Sequence, residues 1–316
     1  MKQKSYHKGV IYLIISAFFF ALMAVFIRLA GDIPTMEKAF FRNLVAFFVA
    51  GGLILKDRFK ERKQNREAGE EGHLRLVPKG AWSPIIMRAM FGTVGVFCNF
   101  YAVDHLVLSD AAILNKMSPF FAVLASYFIL KEKFTLPQGL AVFIAFLGGL
   151  MVVKPGFAGM DFLPAAIGLL GGVGAGIAYS FLRKAGTMGV KGPVVVICFA
   201  GFSCLLTLPV ALIQFVPMDA YQFLMLILTG ASAAAGQFAI TAAYYHAPAK
   251  EISIFDYTQL IFSTLMGLFI FGMVPDYISI IGYAIIVAMA VWMFVYNKKK
   301  NSIEKNEEKK QIESRE

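Results

Sequence analysis

Uninterrupted apolar runs of about twenty residues follow one another along this chain and limit its possible folds more than any other feature. A run of that length spans the hydrocarbon core of a bilayer, where only helices and closed barrels satisfy the hydrogen bonds of the backbone. The runs do not alternate apolar with polar residues, so they predict helices rather than barrel strands. Hydrophobic residues make up 58% of the chain and its mean hydropathy is +0.67, which is more apolar surface than a soluble domain can bury. The sequence therefore predicts an all-α integral membrane protein.

Ten such runs are present, separated by short breaks that contain glycine, proline or charged residues. We predict ten transmembrane helices, called spans 1 to 10, over residues 9–30, 38–55, 81–103, 109–130, 136–153, 163–183, 193–214, 221–244, 252–272 and 277–297.

The distribution of lysine and arginine predicts the orientation, because loops rich in these residues stay on the cytoplasmic side of a membrane. With the N-terminus inside, the inner segments hold 24 of the 30 basic residues, and eight of these lie in the charged loop 56–80. We therefore expect a multi-pass protein of the plasma membrane (the cell inner membrane). Both termini and this loop should be cytoplasmic, with a disordered tail over residues 298–316.

The net charge of +10 comes mainly from residues that flank membrane helices, so we expect no nucleic-acid partner. The four histidines and three cysteines show no spacing typical of a metal site. The sequence also contains no G-x-x-x-x-G-K-[ST] motif for nucleotide phosphates, so it does not support direct coupling to ATP. We expect neither a metal nor a cofactor.

The two halves of the chain resemble each other. Residues 26–31 at the end of span 1 match 181–186 at the end of span 6 with an offset of 155, whereas His105 matches His246 with an offset of 141. The loop 56–80 lies where the 14 additional residues would be inserted. Each repeat would have five spans, an odd number, so the second repeat enters the membrane from the opposite side. Inverted repeats are typical of secondary transporters, whose substrate site lies near mid-membrane between them.

Several short motifs are similar to those of EamA-type members of the drug/metabolite transporter superfamily. They are Phe40-Phe41-Arg42-Asn43, Arg88-Ala89-Met90-Phe91-Gly92, Phe100-Tyr101-Ala102, Ser109-Asp110-Ala111-Ala112, Ser118-Pro119-Phe120-Phe121 and Leu130-Lys131-Glu132-Lys133. The resemblance covers nearly the whole chain, up to residue 297. It implies ten helices in two inverted EamA-type repeats, residues 1–155 and 156–297. It also implies transport of amino acids, amines or other small metabolites, which family members export and some import. One position departs from the family pattern: members often repeat the acidic residue that follows span 4 at the end of span 9, but Glu132 corresponds to Met273.

Charged side chains inside the predicted spans need an explanation, because each costs about 2.5–3.5 kcal/mol at the centre of a membrane helix on insertion scales. Under the offset of 141, Asn115 corresponds to Asp256 and Lys116 to Tyr257, so these pairs could bracket a central cavity. Our candidate substrate-binding residues are Arg42, Arg88, Asn99, Tyr101, Asn115, Lys116, Gln237, Asp256, Tyr257 and Gln259.

Two interpretations of these charges stay open. In the first, Lys116 and Arg42 donate hydrogen bonds to a substrate carboxylate, which is oriented by Asn99, Asn115 and Tyr101. In the second, one of these cations pairs permanently with an acid such as Asp256, or Arg42 extends to the membrane surface. Gln237 and Gln259 either line the cavity or bond between helices. Asp256 is a proton-coupling carboxylate or a structural partner, which makes protons a possible coupling ion.

Two further features concern helix geometry. Gly168, Gly172 and Gly176 recur every four residues in span 6 and predict the close approach of a neighbouring helix. Pro119 removes a helical hydrogen bond and predicts a kink in span 4 beside Asn115, although the matching position in the second half is Leu260.

The leading hypothesis is a secondary transporter that moves a small polar metabolite, such as an amino acid or carboxylate, by alternating access. Export is the expected direction, and a monomer is the expected oligomeric state. One alternative is an integral membrane enzyme acting on lipid-linked substrates, which would need an interfacial cluster of carboxylates or histidines that the sequence does not offer. The other is a facilitative importer of a different metabolite.

Overall fold

A computed structural model describes residues 2–68, 77–106, 108–154 and 161–313. Within these residues the regular structure is α-helical apart from one short 3-10 segment. Ten helical segments in this part of the chain are long and apolar enough to cross a membrane. The prediction of ten membrane helices is therefore confirmed.

The helices are numbered in chain order. They are α1 Lys2–Leu29, α2 Thr35–Ala68, α3 Trp82–His105, α4 Leu108–Asn115, α5 Ser118–Leu130, α6 Leu136–Val153, α7 Phe162–Thr187, α8 Gly192–Ile213, α9 Ala220–His246, α10 Ala249–Ile252, α11 Thr258–Phe271 and α12 Tyr277–Glu313, with the 3-10 segment Ser253–Tyr257 between α10 and α11.

Two helices extend beyond the membrane segments that the sequence predicts. The second helix continues to Ala68, so the first part of the predicted loop 56–80 is helical. The last helix continues to Glu313, so the structure gives residues 298–313 as helix where the sequence predicts a disordered tail. Both extensions are rich in Lys, Arg, Glu and Gln, which have good helix propensity and allow a polar helix to continue outside the membrane.

Local sequence signals begin and end several helices. Asp219 caps α9 by accepting a hydrogen bond from the backbone N–H of Gln222 at 2.7 Å, and the Gln222 side chain accepts in return from the Asp219 N–H at 3.0 Å. Thr135 and Gln138 form the equivalent capping box at the start of α6. Gly272 ends α11 with a positive φ of 66°, a conformation that glycine adopts without steric strain.

The helices that correspond to spans 4 and 9 are both interrupted. The first interruption separates α4 from α5 at residues 116–117, and the second is the 3-10 segment before Thr258. Under the predicted offset of 141, residues 116–117 correspond to 257–258. Pro119 lies in the first turn of α5, where a missing N–H leaves no broken hydrogen bond, so the interruption precedes the proline. The second interruption has no proline, and its position supports the predicted repeat.

The glycines of α7 allow two close helix contacts. A Cβ atom added at Gly172 would lie 2.5 Å from the carbonyl oxygen of Leu114, and one at Gly176 would lie 2.7 Å from the nitrogen of Ala122. On another side of the same helix, a Cβ at Gly174 would lie 3.2 Å from the Cα of Gly95 in α3. The glycine stripe therefore places α7 directly against the interruption in span 4, as the predicted close approach requires.

Contacts between loops sort them into the two groups that the predicted topology requires. At one end, Ser5 Oγ donates to the carbonyl of His246 at 2.7 Å, and Lys250 Nζ donates to the carbonyl of Lys133 at 2.8 Å. At the other end, the Val216 N–H donates to Glu37 Oε2 at 3.3 Å. We call these the inner and outer ends, because the distribution of lysine and arginine predicts that the first faces the cytoplasm.

Candidate functional site

A central cavity of about 170 Å³ lies among the helices of both halves of the chain. At about 30 Å³ per water, this volume holds roughly six water molecules or one small metabolite. Eight of the ten predicted site residues line it: Arg42, Arg88, Asn99, Asn115, Lys116, Gln237, Asp256 and Gln259. The two interrupted spans therefore meet at a cavity that the unbroken helices surround.

Lys116 and Asp256 form an ion pair across this cavity. The ammonium nitrogen lies 2.9 Å from Asp256 Oδ2 and donates a second hydrogen bond to Gln259 Oε1 at 2.7 Å. The two charged side chains are only 10% and 9% exposed. The interruption in span 4 thus places a cation against a carboxylate from the interruption in span 9. In this conformation the pairing interpretation describes the geometry, while both groups still face the cavity.

Two predicted site residues lie outside the cavity lining. Tyr257 is fully buried, and its hydroxyl donates to the backbone carbonyl of Lys116 at 3.1 Å. It therefore supports the interruption in span 4. Tyr101 stacks on His105 with ring centres 4.0 Å apart, near the outer end of α3. Sequence position places both tyrosines near the site, but the rotation of their helices directs them elsewhere.

The two arginines of the cavity have no acidic partner. Arg88 is 3% exposed, donates to Gln237 Oε1 at 3.3 Å, and holds its guanidinium carbon 4.2 Å from the ring centre of Phe199. Its Nε and that of Arg42 are buried without a hydrogen-bond partner. Within the described residues, neither guanidinium forms an ion pair with a carboxylate. The cavity therefore contains three cations and one carboxylate.

Aromatic and small residues complete the lining, and sequence reasoning did not assign most of them. Tyr179 of α7 lines the cavity and stacks on Tyr244 of α9, with ring centres 5.1 Å apart. Ala175, Ala178 and Tyr179 share one face of α7 through spacings of three and four residues. That spacing, beside the glycine stripe, is the signal that could have identified the wall of the cavity.

The inner end is closed beneath the cavity. Arg183 of α7 donates to the carbonyls of Tyr244 and Tyr245 at 3.1 and 2.7 Å, and its Nε lies 3.6 Å from Glu132 Oε1. Leu182 is fully buried in the same layer. In the opposite direction the cavity lining includes Ile27, two residues before the outer end of α1. The cavity therefore extends from the middle of the bundle toward the outer end.

A second cavity of about 550 Å³ lies on the inner side of this layer. Burial raises the pKa of Glu132 above its ordinary value, while the charges of Arg183 and Lys250 lower it part of the way back. Other polar groups that line this cavity are Ser5, Tyr245, His246 and Glu251. The inner closure is thus a layer of side chains between two cavities. Burial shifts the pKa of one carboxylate in this layer, that of Glu132.

Comparison with known proteins finds similarity to transporters. The model of the EamA-like transporter family matches residues 7–154. The pseudopaline exporter CntI of Pseudomonas aeruginosa is 27% identical over 285 residues, which cover 90% of this chain and 94% of that protein. An uncharacterized transporter of Helicobacter pylori is 24% identical, with 88% of this chain and 92% of that protein covered. Human solute carrier family 35 member G1 is 23% identical, with 90% and 78% covered.

The fold is also similar to that of a solved structure, described as a crystal structure of a protein, with a TM-score of 0.72 at 15% sequence identity. The match covers 92% of this chain and 98% of the other. The three sequence relatives are named as transporters or solute carriers rather than as enzymes, which confirms the expectation that the chain is not an enzyme. The chain is a multi-pass membrane transporter, and it is similar to the EamA-type members of the drug/metabolite transporter superfamily.

Proposed function

We propose that this protein moves a small carboxylate-bearing metabolite outward across the plasma membrane by alternating access. The observation that carries the proposal is the central cavity, which has three cations and a single carboxylate and is lined from both halves of the chain. An excess of buried positive charge favours an anionic ligand, and arginine matches the geometry of a carboxylate especially well.

Alternating access needs two units that can move relative to each other. We assign these units to residues 1–155 and 156–297, the two repeats that the sequence predicts. The interruptions at 116–117 and at Ser253–Tyr257 support the assignment, since they overlap at residue 257 under the offset of 141 and interrupted helices meet at the substrate site of many inverted-repeat transporters. The Lys116–Asp256 pair would then join the two repeats across the cavity.

One observation supports export over import: a relative that is 27% identical over nearly its whole length is named as an exporter. The cavity extends away from the end that is predicted to be cytoplasmic, a conformation that exporters and importers share in alternating access. A facilitative importer is the alternative, and flux from either side of oriented vesicles distinguishes the two.

The test uses Lys116→Ala, with Lys154→Ala as a matched control whose cation lies in an exposed pair with Asp276. Amino acids, simple carboxylates, amines and nucleosides are screened for thermal stabilisation and for exchange in proteoliposomes. We expect carboxylates to stabilise the wild type and the control but not Lys116→Ala. Preferential binding of amines, or normal carboxylate exchange by Lys116→Ala, would contradict the proposal.

Removal of Lys116 alone leaves Asp256 as an unpaired buried charge, which can prevent folding. The double variant Lys116→Gln with Asp256→Asn removes both charges and keeps side chains of similar shape. This variant should fold, as judged by size-exclusion elution, and should fail to exchange carboxylates. Normal exchange by the folded double variant would exclude the Lys116 site.

Proton coupling is a separate part of the proposal and depends on Asp256. A proton on this carboxylate would release the Lys116 ammonium for a substrate anion, because the two groups are paired at 2.9 Å. An imposed pH gradient should therefore drive accumulation in proteoliposomes. Asp256→Asn should lose this response but retain substrate exchange. If the variant still accumulates substrate in response to the gradient, another group carries the proton or the coupling is indirect.

A further inference from the structure

The side chains that line the central cavity have two more positive charges than negative ones, and the two excess charges belong to arginines. Lys116 is already paired with Asp256 and bonded to Gln259, so its ammonium has an anionic and a neutral partner. Arg42 and Arg88 have no carboxylate partner within the described residues, and the Nε of each is buried without a hydrogen bond. The unmatched charge therefore lies on the two guanidinium groups.

Arg88 is held in a fixed orientation although it lacks a counter-charge. Gln237 accepts a hydrogen bond from Nη2 at 3.3 Å, and the ring of Phe199 lies 4.2 Å below the guanidinium carbon. A neutral amide and an aromatic face orient a guanidinium without neutralising it. This arrangement leaves the positive charge available and preorganised for an anion.

We infer that the transported substrate carries two negative charges close together, as in a short dicarboxylate or a phosphate monoester. A buried charge without a partner is costly in a membrane protein, so two unpaired guanidinium groups favour an occupant with two anionic charges. The planar guanidinium donates two parallel hydrogen bonds to a carboxylate or a phosphate, which matches both types of dianion. A cavity of about 170 Å³ limits the substrate to a small molecule.

This inference rests on the proposed function and adds the charge of the substrate to it. It also separates the roles of the cations. The two arginines would bind the second anionic group, while Lys116 exchanges between Asp256 and the first. A substrate with a single charge would leave one guanidinium unpaired in the occupied cavity.

The test compares succinate with its monomethyl ester, which has nearly the same shape but a single charge, by thermal shift and by competition for exchange in proteoliposomes. We expect the ester to bind about tenfold more weakly or worse, since a lost hydrogen bond between charged groups has an effect of that order. Glycerol 3-phosphate is the second arm, because it carries the dianion as a phosphate. Tight binding of either dianion over the ester supports the inference and identifies the anionic group.

Arg88→Gln removes one unpaired charge and should abolish the preference, so that succinate and its monomethyl ester bind equally. Arg28→Gln is the control, since Arg28 lies at the outer end beside Phe271 and does not line the cavity. If Arg88→Gln does not fold, the comparison of succinate with its monomethyl ester on the wild-type protein still tests the inference.

Equal binding of the ester and succinate to the wild type would overturn the inference while leaving a carboxylate transporter in place. Binding of glycerol 3-phosphate alone would support the two-charge inference and overturn the carboxylate assignment. If no anion binds and amines do, the proposed function itself fails.

Discussion

The two ends of the bundle carry equivalent arginines, but among the residues that the structure describes only the inner one faces an acid. Arg183 of α7 in the second half corresponds to Arg28 of α1 in the first, under the offset of 155. At the inner end Arg183 lies 3.6 Å from Glu132. At the outer end Arg28 Nη1 lies 3.3 Å from the sulfur of Met273, which occupies the position equivalent to Glu132, and its guanidinium lies over Phe271.

This difference in one residue accompanies a difference in the contacts that hold the two ends closed. Arg183 ties α7 to the end of α5 through Glu132 and to α9 through two backbone carbonyls. Arg28 contacts the end of α11 and the Met273 sulfur just beyond it. A thioether accepts a hydrogen bond weakly, whereas a partly buried carboxylate binds a guanidinium through charge as well. In the mechanism proposed above, this difference between the ends therefore favours a closed inner end and a cavity that extends outward.

Removing the inner acid should have the largest effect on this asymmetry. Glu132→Gln leaves the Arg183 guanidinium without its charge partner. We expect this change to destabilise the closed conformation of the inner end by about 1–2 kcal/mol. This range lies between those for exposed and fully buried pairs. A cysteine at position 178, on the cavity wall, should then react faster with a membrane-impermeant reagent applied to the inner side. The background is a chain with its three native cysteines replaced by serine.

Asp276→Asn is the matched control, because it breaks an exposed ion pair with Lys154 at the outer end and should leave inner labelling unchanged. If Glu132→Gln labels at the wild-type rate, the ion pair does not hold the inner end closed. A similar increase in Asp276→Asn would show a general loosening of the bundle instead.

Introducing an acid at the outer end should have a smaller effect and should favour the closure of that end. Met273→Glu places a carboxylate beside Arg28, and we expect it to stabilise outer closure by up to about 1 kcal/mol because the pair is exposed. A cysteine at position 96 of the cavity wall should then label more slowly from the outer side. Met273→Gln controls for the change of shape, and equal labelling of the two variants would show that the added charge has no role.

Much of this comparison could be predicted from the sequence, since Arg28, Arg183, Glu132 and Met273 are related by the two repeat offsets. The charges of the cavity were also predictable, because a cation or acid in an apolar span must face protein rather than lipid. The partners were not predictable: Lys116 could have paired with a substrate or with Asp256, and the rotation of the interrupted helices decides this. The orientation of α3 directs Tyr101 away from the cavity, and that of the interrupted span 9 does the same for Tyr257.

The pH dependence of the inner end is the smallest expected effect. Burial raises the pKa of Glu132 above the ordinary 4.5, and Arg183 and Lys250 only partly reverse the shift. The folded protein therefore takes up this proton at a pH where an ordinary glutamate is still ionised.

As the pH falls through this raised pKa, the Glu132 carboxylate loses its charge and the ion pair with Arg183 weakens. Labelling of the cysteine at position 178 from the inner side should then rise toward the rate of Glu132→Gln, while the variant itself shows no such increase. His246 and Glu251 also line this inner cavity, so His246→Gln is measured in parallel. A pH response that persists in Glu132→Gln but disappears in His246→Gln would assign it to the histidine and leave Glu132 permanently ionised.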